Sequence, residues 1–452
     1  WDVTLNIIDV KPCLLKNRDM IDLIIDNIRG GISSVSRRKW LKDDDNNSIF
    51  YFDANNLYGW SMSQCLPYDD FKYIDISEIG DVLSMILAYE INDEYGYIFT
   101  VDLSYPQHLH SDHNELPFLP ERINDKLCLS LQNKKMYTCH ILNLQQAIIN
   151  GLCLDKVWKI IRFKQTNWLE KYISLNTKLR SNSTCDSDKN FYKLMNNAVF
   201  GKTMQNPLKE CKHVPVAIDD LDERNKIENK NTYLSQEQWT DNLVLYEIDK
   251  TPIMNKPIYI GFVILELSKW KMYDTFYNGI KRKWPTCTLS YMDTDSFVIN
   301  IPMNREKVDF IGVEKYFDLS VYPKESAWNS NENKGVLGKL KDEFPSDYIK
   351  EFICLRSKMY GMTTNSGKFI YKCKGISKST ILSIEDMRKN LRDGLALYTK
   401  QVNIKSVKHE LGTWITNKKT LTNEEDNKRI NIFKDDEEEE HLKYLTNSIG
   451  LI

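Results

Sequence analysis

Two short stretches far apart in the chain constrain it most: Tyr51-Phe52-Asp53-Ala54 and Tyr291-Met292-Asp293-Thr294-Asp295-Ser296. In each, an apolar, β-prone run delivers a carboxylate to the point where the strand ends. Two such strands side by side would gather Asp53, Asp293 and Asp295 into one cluster. Like charges that close repel, so the cluster is stable mainly when a divalent cation neutralises it. Two ions held this way can activate one oxygen and stabilise the leaving one in phosphoryl transfer, the chemistry of nucleotide polymerisation. An isolated Asp-Thr-Asp also occurs in turns and calcium loops. Here it stands between Leu289-Ser290-Tyr291-Met292 and Phe297-Val298-Ile299-Asn300-Ile301, which read as the arms of a hairpin, and the spaced oxygens and glycine of a calcium loop do not follow.

A chain of 452 residues can bury several cores, so two or three subdomains are expected. Lys+Arg of 61 against Asp+Glu of 63 gives a net charge of -2, whereas a nucleic-acid binder is more often basic. Local acidic runs such as Asp435-Asp436-Glu437-Glu438-Glu439-Glu440 can mask a basic groove. The 10 cysteines are scattered singly, with no CxxC pair and no Cys/His cluster at zinc spacing; this argues for free thiols in a reducing compartment and against a structural zinc site. No apolar stretch is long enough to span a bilayer and no signal peptide is visible, so an intracellular location is expected, in the nucleus or at a viral replication site. The chain begins with Trp1 within a globular-looking pattern and is read as a piece of a longer protein.

Along the chain, residues 19–28 have helical spacing and run into Arg29-Gly30-Gly31. The glycine pair serves either as a helix cap or as Cβ-free backbone that lets a phosphate chain approach; Arg37, Arg38 and Lys39 favour the second use. Residues 49–52 read as a strand, 96–103 as an alternating strand and 143–150 as a short helix ending at Gly151. Residues 168–201 read as two antiparallel helices joined near 181–187, and 206–250 as an irregular insertion or hairpin. The stretch 256–283 predicts an amphipathic helix, and the charged last thirty or so residues predict poor order.

On the helix carrying Lys193 and Asn197, these two residues share a face, with Phe200 and Gly201 one turn on and Arg180 and Lys189 upstream. Such cations can grip a triphosphate, or simply form a solvated face. Tyr58 can stack on a sugar and exclude a 2′-hydroxyl, or be a core aromatic. Lys358 and Tyr360 at i and i+2, and Lys372 and Lys374 before Gly375, suit contacts to a duplex backbone that position without reading sequence.

Taken in order, these segments resemble the family B DNA polymerases, in particular the protein-primed branch of some viruses and Maverick/Polinton transposons. Asp53-Ala54-Asn55-Asn56-Leu57-Tyr58-Gly59 resembles motif A, Lys193 to Gly201 motif B, Tyr291 to Ser296 motif C, and Lys358-Met359-Tyr360 the KxY motif. Arg29-Gly30-Gly31 resembles the glycine pair that joins exonuclease to polymerase domain and contacts template. The resemblance implies an α+β right hand of palm, fingers and thumb, with an antiparallel palm sheet flanked by helices. It implies a linker at 1–48, palm at 49–66 and 253–362, a first insertion at 67–160 that contacts terminal protein and DNA, fingers at 161–204, a second insertion at 205–252, and thumb plus tail at 363–452.

By the same resemblance, Asp53 and Asp295 ligate two Mg²⁺ ions while Asp293 supports the site. Tyr58 is the steric gate; Lys193, with Arg180 or Lys189, binds the incoming triphosphate; Asn197, Phe200 and Gly201 support the nascent pair. Gly30, Gly31, Lys358, Tyr360, Lys372 and Lys374 face DNA. The implied partners are a primer-template, dNTPs and a terminal-protein primer, with the chain a monomer and no membrane involved. Motif B departs from the usual Asn-Ser-x-Tyr-Gly in having Ala198 and Phe200, and motif A has Gly59 where many relatives have proline. Fewer than thirty residues precede the glycine pair, too few for the exonuclease domain, so proofreading is not expected in this chain. The alternative is a catalytically inactive DNA-binding remnant; a reverse transcriptase or RNA polymerase fits less well, because Tyr58 would oppose ribonucleotides.

Overall fold

The structure, a computed structural model, describes residues 1–42, 46–205, 211–249, 256–377, 379–407, 410–424 and 428–430. Its centre is a nine-stranded antiparallel sheet. The main path runs Ser33–Val35, Thr288–Asp293, Ser296–Ile301, Ser48–Ala54, Ile349–Arg356, Met359–Thr364, Phe369–Cys373. Leu340–Asp342 also pairs with Ser48–Ala54, and Lys39–Leu41 with Ile349–Arg356. The sheet takes strands from before residue 48 and continues to Cys373.

Ser48–Ala54 is apolar on both sides because both of its faces are covered. Side chains alternate along a strand, and Phe50, Phe52 and Ala54 enter the main core while Ile49 and Tyr51 enter a second cluster with Tyr291, Val298, Phe352 and Tyr360. Asp53 is next in the odd-numbered series, so it lies on the face of the second cluster. The backing for the first face is the helix Ile258–Asp274, which continues through π-helical turns over Thr275–Lys281. Every residue from Ile258 to Lys269 is buried. The expectation of an amphipathic helix is therefore corrected: elements pack on all sides of it, as a helix apolar all round requires. Even two of its charges, Glu266 and Lys269, are inside and paired at 3.1 Å.

A four-stranded antiparallel sheet, ordered Leu66–Tyr73, Cys153–Thr166, Tyr95–Ser104, Lys134–His140, packs on the far side of the helix. The strand expected to alternate at 96–103 is instead buried on both faces over most of its length. Ile141–Ile149 is helical, and Gly151 follows at φ +98°, a conformation that favours glycine. Glu170–Asn182 and Asp186–Thr203 are two packed helices joined at 183–185.

The stretch 206–250, expected to be irregular, contains a regular three-stranded sheet: Cys211–Ala217, Leu243–Asp249, Tyr233–Thr240, with the helix Leu221–Glu228. Alternation in Leu243–Asp249 explains it, since Val244, Tyr246 and Ile248 face a small core with Val216 and Ile227. A further helix, Ile384–Asp393, opens with a capping box from Ser383 to Asp386 and precedes the hairpin Leu397–Val407/Glu410–Leu421. The expectation for the acidic tail falls outside the described residues. Among the described residues no helix is long and apolar enough to cross a membrane.

Candidate active site

The hairpin Thr288–Asp293/Ser296–Ile301 lies against Ser48–Ala54 in one register: Asp293 opposite Ser296, and Ser296 opposite Asp53. Opposed residues share a face, so Asp53 and Asp293 flank Ser296 across three strands. Asp295 completes the group from the turn, held by its N–H to the Asp293 carbonyl (2.7 Å) and by the Ala54 N–H to its own carbonyl (2.7 Å).

The three carboxylates are not equivalent. Asp293 accepts from Lys358 Nζ at 2.5 Å and from the Tyr291 hydroxyl at 3.1 Å. Among the described residues Asp53 and Asp295 have no ion-pair partner. Burial, then the nearby Asp295 and Glu343, push the Asp53 carboxyl up to about 7, against the opposing pull of Lys341 and Lys372. Burial first, and Asp293 after it, also raise Asp295, while Lys372 and Lys193 oppose. Two partly buried carboxylates that disfavour each other's charge, with oxygen donors only, fit a hard divalent cation.

Tyr58 belongs to the helix Leu57–Met62, whose cap Asn56 adopts φ +39° and accepts from the Gly59 N–H at 3.1 Å. A Cβ on Gly59 would come within 2.3 Å of the Asn56 amide, so this chain uses at that position a small residue and an N–H that proline lacks. The Tyr58 ring stacks on Phe200 with centroids 4.5 Å apart, which joins the acidic centre to the helix Asp186–Thr203. Burial, then Asp295 and Asp293, push its phenol up to about 12, so it stays protonated.

On that helix Lys193 and Asn197 are exposed, and the Lys193 charge reaches Asp295. Gly201 is open to solvent. Lys189 pairs with Asp186 at 3.5 Å, and Arg180 is exposed on the neighbouring helix; nothing in the structure ties either one to the carboxylates.

Lys358 is a turn residue at φ +61°, not a strand residue, which swings its ammonium onto Asp293. Tyr360, expected against the primer, is 2% exposed, and its hydroxyl shares a 2.9 Å hydrogen bond with that of Tyr51. Lys372 stands over both rings, and its Nζ donates to the Tyr51 hydroxyl at 3.4 Å. Asp293, Lys358, Tyr360, Lys372 and Lys374 line one cavity of about 560 Å³.

The glycine pair is not a cap: the helix Arg18–Asp26 ends at Asn27. Arg29, just before the pair, is buried, with its guanidinium 3.9 Å over the Tyr137 ring. Gly31 abuts Thr294, and the Ile32 carbonyl accepts the Thr294 N–H at 2.6 Å, whereas Gly30 faces open space. Sequence reasoning missed Lys341, opposite Asp53, and its partner Glu343 at 2.5 Å. It also missed the Tyr291 hydroxyl, which meets Ser33, Asp293 and the Lys358 N–H within 3.2 Å. Leu340-Lys341-Asp342-Glu343 shows no apolar alternation, so the sequence carried no signal for Lys341 or Glu343.

The family model described as "DNA polymerase type B, organellar and viral" matches residues 6–281. The chain belongs to that family. The matched residues hold Asp53, Tyr58 and Lys193; Asp293, Asp295 and Lys358 lie beyond them. Among solved structures, Phi29 DNA polymerase complexed with primer-template DNA and incoming nucleotide substrates is similar at TM-score 0.54 and 16% identity, covering 93% of this chain and 65% of that one. The same polymerase with single-stranded DNA gives TM-score 0.55 at 16% identity, over 91% of this chain and 63% of that one. This polymerase-family chain therefore spans just under two thirds of the Phi29 enzyme, with which it shares a fold. No curated protein sequence matches it.

Proposed function

We propose that this chain is the synthetic core of a family B DNA polymerase, adding deoxynucleotides to a primer 3′-hydroxyl under template direction, with a terminal-protein hydroxyl as attacking group at initiation. The observation that carries the reading is the register that sets Asp53 and Asp293 either side of Ser296 and Asp295 in the turn, with neither Asp53 nor Asp295 in an ion pair among the described residues. Asp53 and Asp295 would hold two Mg²⁺ ions. When bound, these supply activation of the attacking hydroxyl and neutralisation of the leaving pyrophosphate.

The chain's own groups do the rest. Lys358 keeps Asp293 neutralised, leaving the other two carboxylates for the ions. Lys193 attracts the triphosphate from the facing helix, and the Tyr58–Phe200 stack forms the wall against which the sugar lies and a 2′-hydroxyl would collide. Lys358, Lys372 and Lys374 offer cations to a primer backbone across their shared cavity. In this reading the nine-stranded sheet is the palm, the helix pair Glu170–Asn182 and Asp186–Thr203 the fingers, and the region after Cys373 the thumb. The four-stranded and three-stranded sheets are the two insertions.

The test is single-nucleotide extension on four primer-templates differing in the templating base, with Mg²⁺. Incorporation of the complementary dNMP in each case is expected. DNA binding with no incorporation on any template would overturn the proposal.

A further inference from the structure

The three-stranded sheet has two unlike faces. Lys212, Val214 and Val216 lie opposite Ile248, Tyr246 and Val244, and this even-numbered side carries the small core. On the other side Cys211 faces Asp249 and His213 faces Glu247. Residues two apart on a strand, and residues directly opposed on neighbouring strands, point the same way. Four side chains of types able to bind a metal thus lie on one face of the sheet.

Cys211 Sγ, a ring nitrogen of His213 and a carboxylate oxygen of Glu247 all lie within 4.8 Å of one another. Among the described residues no other group of three cysteine, histidine or acidic side chains converges as closely. On a tetrahedral zinc ion with bonds of about 2.0–2.3 Å, neighbouring ligand atoms stand roughly 3.5 Å apart, so side-chain rotation alone closes the set. The Ser235 hydroxyl donates to Glu247 Oε2 at 2.9 Å, which orients the carboxylate as an outer partner does in metal sites.

We propose that Cys211, His213 and Glu247 form a zinc site, with Asp249 or water in the fourth position. The donor set is what selects the ion: thiolate and imidazole favour zinc over magnesium, in contrast to the all-oxygen Asp53/Asp295 centre. The Cys211 thiol gives up its proton on metal binding. The physical benefit is a staple. The core of this sheet consists of Val216, Ile227, Val244, Tyr246 and Ile248, and a unit with so little to bury gains from a metal cross-link between its strands. Neither the one-residue Cys211–His213 spacing nor the distant Glu247 matches a sequence zinc motif, which is why the register was needed to find it.

The experiment is Co²⁺ and Zn²⁺ titration of the chelator-treated full chain. One equivalent of Co²⁺ is expected to give a thiolate-to-cobalt charge-transfer band that one equivalent of Zn²⁺ abolishes. Cys211→Ser is expected to remove the band, and His213→Ala to weaken zinc binding on the order of 100-fold, since loss of an outer partner alone costs about 10–100-fold. Asp295→Asn and Cys153→Ser should leave both unchanged. Absence of the band in the unaltered chain, or its persistence in Cys211→Ser, would overturn the proposal; the first result does not depend on any variant folding.

Discussion

Gly31 lies so close to Thr294 that a Cβ built on it would fall 2.3 Å from the threonine Oγ1. Thr294 is the residue between Asp293 and Asp295 and sits at φ +60°, where few L-residues rest comfortably. The glycine segment therefore buttresses the turn that presents the carboxylates, in addition to any contact Gly30 makes with template.

Gly31→Ala is expected to push that turn out of place. A misplacement near 1 Å costs about 100-fold in rate, so primer extension should fall by that order while DNA affinity changes little. Gly30→Ala, where the new methyl meets open space, should leave the fold and the chemical step intact. Single-turnover incorporation on saturating primer-template separates the two.

The Asp53 carboxyl, raised to about 7, gives a pH dependence with a defined sign. Its folded value exceeds the unfolded one near 3.8, so the folded state binds more protons between those limits. Stability of the metal-free protein should therefore decline as pH rises through that window. Asp53→Asn should flatten the decline, and Mg²⁺ should reverse it at pH 8. Thermal melting of both proteins across pH 4.5–8, with and without metal, checks all three.

Tyr58 stacks on Phe200 and keeps its proton, so it is a fixed apolar wall. Tyr58→Val is expected to admit ribonucleotides. The loss should be on the order of 100-fold in dNTP-over-rNTP preference, the scale on which a steric pocket rejects one hydroxyl. Competition assays with dCTP and CTP measure it. Phe200→Tyr should keep the stack and the preference.

Lys358→Met would leave Asp293 without its cation. The pair is partly solvent-exposed, so the stability cost is about 1 kcal/mol after screening. The larger effect is on metal: Asp293 would compete for the ions, and the Mg²⁺ optimum should rise. Lys358→Met combined with Asp293→Asn should recover the lost stability, which equilibrium denaturation can measure.

The mixed α+β fold was legible through the resemblance, and the convergence of Asp53 with Asp293 and Asp295 through two apolar, β-prone runs that each end in a carboxylate. The helix pair was legible from its spacing and its polar joint. What escaped depended on partners remote in sequence. No periodicity announces that Ile258–Lys269 is buried throughout, or that Tyr360 turns inward to Tyr51. Gly31 offered two readings in the sequence, a cap or a close approach of phosphate, and the structure adds a third constraint, a side chain at position 294. Lys341 carried no motif at all, and only strand pairing sets it across from Asp53.

The most direct test of the central claim is the rate of single-nucleotide incorporation by Asp53→Asn and Asp295→Asn, each at saturating primer-template and Mg²⁺, beside the unaltered chain. The account predicts that both variants bind DNA as before and lose incorporation by about 100- to 1,000-fold, the scale of a lost electrostatic contact to the reacting centre. Incorporation within a fewfold of the unaltered chain in either variant would contradict it.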